Sequence, residues 1–73
     1  MTSNQLRMIR DALGMTRKSF GDRVGLSAVL IEKIERGEWR VTDRTKYKVL
    51  SAFNMNETDV INLSDWVAKF TKE

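Results

Sequence analysis

Gly25 and Leu26 split the N-terminal half of the chain into two short helical stripes, and this break constrains the fold more than any other feature. Upstream, Thr16 is a cap residue, and Phe20 and Val24 share one face before Gly25, the residue best able to take a left-handed turn. Downstream, Ser27 is a second cap residue, Ile31 and Ile34 form a buried stripe, and Gly37 closes the segment. The upstream helix is barely two turns long.

The same punctuation recurs on either side. Thr2, with Gln5 three residues on, reads as a capping box, and Leu6, Ile9 and Leu13 follow at helical spacing until Gly14. A fourth helix is predicted to start near Thr42 or Asp43 and to bury Val49, Leu50, Phe53 and the stem of Lys46. Asn56 caps a fifth, with Asp59 at its third position and Met55 placed to staple onto Val60. Ser64 opens a last short helix bearing Trp66, Val67 and Phe70. The fold class is therefore all-α, a compact bundle of five to six short helices. One domain spans 1–73, with its core in 5–63; the segment 64–72 is either the last layer of that core or the seam of a homodimer.

Seventy-three residues is near the lower size at which a chain folds without metals or crosslinks. The absence of Cys and His excludes disulfides, the usual zinc sets and imidazole catalysis, and it fits a reducing compartment. No apolar run approaches the roughly 18 residues of a membrane span, and no secretion signal opens the chain, so a cytoplasmic protein is expected. No nucleophile with a base, carboxylate pair in context or phosphate-binding loop points to an enzyme, a cofactor or a metal. The net charge of +3 favours a polyanionic partner. Charges of both signs are interspersed, so there is no basic tail, and specificity has to come from shape.

The outer face of the third helix is where that shape would lie. Ala28, Val29, Glu32, Lys33 and Arg36 fall on the side away from Ile31 and Ile34. Two short helices joined by a tight glycine turn form a unit whose second helix fits the major groove of B-DNA. Basic residues flank it, over Arg17 to Arg23 and Arg36 to Lys48.

The stretch from Leu6 to about Leu63, some four fifths of the chain, resembles the Cro/repressor-type helix-turn-helix family, the lambda-repressor-like fold. The resemblance is carried by Leu6 and Arg10, Met15-Thr16, Phe20-Gly21, Val24-Gly25-Leu26-Ser27, then Ile31, Ile34, Glu35 and Gly37. Val49, Leu50, Ala52, Phe53 and Met55 match its fourth helix. It implies a DNA-binding transcriptional regulator, compact like the regulators of phages and mobile elements, in a prokaryotic or phage-infected cell. Such a regulator would bind double-stranded DNA as a homodimer.

By the same resemblance, Ser27, Ala28, Val29, Glu32 and Lys33 face base edges, while Arg17, Lys18, Arg36, Arg40, Thr42 and Arg44 grip phosphates. The chemistry agrees in part: Ala and Val methyls pack on a thymine methyl, Glu accepts from cytosine N4, and Lys donates to guanine or phosphate. Arg10 and Glu35 correspond to the family's structural ion pair. Gly21 stands where the family has Ala, at a cost in helix propensity of about 1 kcal/mol. A second reading uses the apolar residues. Ala28, Val29 and Leu30, with Trp39, Trp66 and Phe70, would then form a protein interface, and the chain would be an antirepressor capturing a partner repressor. Against it, Leu30 tucks against the second helix and Trp39 is a lid over the core edge.

Overall fold

Each of the first five helices begins where a side chain accepts a free backbone N–H. The computed structural model describes residues 1–70 and contains α1 (Ser3–Ala12), α2 (Arg17–Val24), α3 (Ala28–Glu35), α4 (Asp43–Ala52), α5 (Glu57–Ile61) and α6 (Leu63–Ala68), with no strand among the described residues. Thr2 and Gln5 form the expected capping box on α1, and Asn56 and Asp59 form a second on α5. Thr16 accepts from Ser19 N at 3.0 Å and Ser27 from Leu30 N at 3.1 Å. Thr42, not Asp43, caps α4 and accepts from Thr45 N at 3.2 Å.

The last helix differs from expectation. It starts at Leu63, one residue before Ser64, and Asn62 both ends α5 and begins α6 without a side-chain cap. Burial is the reason: a start at Leu63 puts Leu63 and Trp66 three residues apart on one helical face, and both are buried. The helix ends at Ala68, so Phe70 follows it rather than riding on it. The part of the expected helix at 71 and 72 lies outside the described residues.

Packing follows from these stripes. α2 pairs most extensively with α3 and also meets α4, while α1 packs on α3 and α6. Leu6, Ile9, Phe20, Ile31, Ile34 and Val49 are fully buried at the centre. Phe53 closes the core by stacking on Phe20, ring centroids 5.4 Å apart. Met55 and Val60 are both buried, as a staple across the start of α5 requires. Trp66 is 7% exposed and belongs to this chain's own core. Of the two places left open for Trp66, core layer or interface, its burial within the chain favours the core.

Gly25 ends α2 in the left-handed region at φ 80°, and Leu26 N–H donates back to Gly21 O at 2.8 Å. Gly21 itself lies where α2 meets the turn. A Cβ built there falls against the Leu26 carbonyl oxygen, far closer than non-bonded atoms approach. The glycine is thus required by the closeness of the turn, and its propensity cost is the consequence of that geometry.

Candidate nucleic-acid interface

The turn at Gly25 aims the N-terminal end of α3 outward. Ser27 is exposed and Val29 is 60% exposed, while Ala28, Glu32 and Lys33 are half-buried. Four of the five residues expected to read bases are therefore on α3 itself, with Ser27 as its cap. The Ser27 hydroxyl oxygen accepts from Leu30 N, which leaves its own hydrogen free to donate. Leu30 is half-buried against the core, so the expected Ala28-Val29-Leu30 patch reduces to Val29 with half of Ala28.

Beyond α3 the backbone doubles back. Gly37 takes φ 80°, its N–H donates to Ile34 O at 3.0 Å, and Glu38 N–H donates to Lys33 O at 3.0 Å. This closure returns Trp39 to the side of α3. The Lys33 ammonium sits 5.6 Å from the centroid of the Trp39 ring, which is 55% exposed. Trp39 is less a lid over the core than a shelf that holds Lys33. The shelf is aromatic rather than acidic, and among the described residues no carboxylate lies within ion-pair distance of Lys33.

The expected phosphate contacts fall into two groups. Arg17, Lys18 and Arg36 are held by acids: Arg17 by Glu35 at 3.1 Å, Lys18 by Asp22 at 3.0 Å, and Arg36 by Glu38 at 3.2 Å and Glu32 at 3.5 Å. Arg40 and Arg44 have no carboxylate within ion-pair distance among the described residues. Thr42 uses its hydroxyl inside the fold, accepting from Thr45 N and donating to Thr45 Oγ1 at 3.2 Å.

Glu35 is the fixed point beneath this surface. Its side chain is 2% exposed, and Arg10 grips it through Nε at 2.6 Å and Nη2 at 3.0 Å. Arg10 also donates to Met15 O at 2.8 Å, tying α1, α3 and the approach to α2 together. Burial pushes the Glu35 carboxyl up, but hydrogen bonds from Arg10 and Arg17 outweigh it and leave the group below the usual carboxylate range. The Arg10 pairing matches expectation. The second arginine, Arg17, does not follow from spacing, since 18 residues separate it from Glu35.

A glycine turn between two short helices, with the second helix exposed at its start and flanked by cations, defines a helix-turn-helix domain of the kind that docks on duplex DNA. A family model described as a helix-turn-helix domain matches residues 3–60, and the chain belongs to that family. The match bears out the resemblance to Cro/repressor-type domains. No curated protein and no solved structure matches the chain. No helix among the described residues is long and apolar enough to cross a membrane, and no group of His, Cys, Asp or Glu among them could hold a metal ion.

Proposed function

We propose that the chain is a sequence-specific transcriptional regulator, a Cro-like repressor that reads the major groove with the helix 27–36. The observation that carries this reading is the outward face of α3. It offers a hydroxyl hydrogen at Ser27, methyls at Ala28 and Val29, a carboxylate at Glu32 and, at Lys33, an ammonium with no carboxylate partner among the described residues. Arg40 and Arg44, unpaired among the described residues, supply phosphate contacts beside it, and Arg17, Lys18 and Arg36 join them by exchanging acid partners for phosphate. The regulator acts as a homodimer on paired half-sites in the cytoplasm of a prokaryotic or phage-infected cell.

Selection of the purified protein against a random-sequence duplex pool, at low and near-physiological salt, tests this. A recovered palindromic motif whose affinity falls steeply with salt is the expected result. Failure to enrich any motif at either salt rules out sequence-specific reading by the isolated chain.

A second reading has its own observation. Val29 and Trp39 are large, apolar and more than half exposed on one side of α3. An antirepressor would use them to cover the DNA-binding face of a partner repressor. Arg40→Ala separates the two readings, because it weakens DNA binding and lowers its salt dependence while leaving the apolar Val29 and Trp39 contact in place.

A further inference from the structure

A groove of about 650 Å³ runs between α2 and α4, and its charge is of one sign. Arg23, Arg44 and Lys48 line it, and none of the three has a carboxylate within ion-pair distance among the described residues. Neighbouring cations on α2 and α4 are neutralised at short range, Lys18 by Asp22 and Lys46 by Glu57. Between the three charges the wall is largely apolar: Val24 is buried, Ala52 half-buried, the exposed Tyr47 ring stands at the side, and exposed Ser51 completes the lining. Arg23 is held in place from below, its guanidinium 5.3 Å from the centroid of Phe53.

We propose that this groove is a docking site for an acidic peptide segment of a partner protein, one that carries an aliphatic side chain between its carboxylates. The three cations meet the carboxylates, and the aliphatic group covers Val24, Ala52 and the Tyr47 ring. A nucleic-acid backbone satisfies the charges but has no aliphatic group for that wall, and a single tyrosine is a short platform for stacked bases. Arg23 and Lys48 lie outside the residues assigned to base reading and phosphate contact, while Arg44 is shared with the phosphate contacts, so the groove adjoins the DNA surface and extends beyond it.

The test uses a short fluorescein-labelled peptide in which Asp and Leu alternate, with controls carrying Ser for Asp or Ser for Leu, followed by fluorescence anisotropy on the whole chain. The expected result is saturable, salt-sensitive binding of the Asp-Leu peptide, at least about tenfold weaker for either control and for Lys48→Glu. Among the described residues Lys48 has no ion-pair partner whose loss would unfold the chain, and Arg23→Gln provides a second, milder variant with the same expected direction. Absence of saturable binding at millimolar protein overturns the proposal, and so does binding that neither variant weakens. Tight binding of oligothymidine, lost in the same two variants, also overturns it and reassigns the groove to single-stranded nucleic acid.

Discussion

The Glu35 carboxylate and the Arg10 guanidinium are joined by two hydrogen bonds, of 2.6 and 3.0 Å, in a site where the Glu35 side chain is 2% exposed. Removing one partner strands a buried charge. Arg10→Ala or Glu35→Ala is expected to cost about 3 to 5 kcal/mol in urea unfolding, whereas the double change Arg10→Met with Glu35→Leu is expected to be close to neutral. Loss of DNA binding in either single variant would therefore report on folding and not on a contact.

The same pair sets an acid limit. The folded Glu35 pKa lies below its unfolded value of about 4.3, so the stability it contributes is present above that pH and is lost as pH falls through the folded pKa. Urea midpoints measured from neutral to acid pH should fall in that window. Glu35→Gln should flatten the fall.

Arg17 is the second, more exposed arginine on Glu35. Arg17→Ala removes one of the hydrogen bonds that hold the carboxyl down, so the Glu35 pKa should rise, as read by NMR titration of its side-chain carbon. An unchanged pKa would mean that Arg17 spends its time in solvent.

Gly21→Ala should destabilise the domain by about 1 to 3 kcal/mol in thermal unfolding, even though alanine is the better helix former. The added methyl meets the Leu26 carbonyl, a backbone group fixed by its place in the turn. A stabilised variant would show that the turn yields easily.

Arg40→Ala should weaken DNA binding across all sequences and reduce the slope of log affinity against log salt by about one, whereas Lys33→Ala should weaken binding and relax specificity at the base it reads. Leu30→Asp is a poor probe of the same surface, since Leu30 packs on the core and its loss acts through stability. Val29→Asp is the cleaner choice.

Sequence reasoning reached the helices and the turn because both are written locally. Thr2, Thr16, Ser27 and Asn56 each cap the helix that follows them, and Phe20, Ile31, Ile34 and Val49 repeat at helical spacing toward one core. It erred by one residue at α6, where no side chain caps the start and burial of Leu63 decides the boundary. It also left Trp66 between core and interface, since an apolar stripe at a chain end has the same pattern in both cases. What it missed at the site depends on chain reversal or on packing between distant helices. The return of Trp39 to Lys33, the reach of Arg17 to Glu35, and the meeting of Arg23 with Lys48 along one groove have no spacing signature.

The placement of the two tryptophans gives the chain a pair of intrinsic reporters. Trp66 is sealed in the core and its emission should be blue-shifted and insensitive to iodide, so it follows unfolding. Trp39, 55% exposed on the loop after α3, should emit at longer wavelength, and its quenching follows whatever lands on the recognition surface. A single emission spectrum can thus separate a variant that has stopped binding from one that has stopped folding, with no label attached.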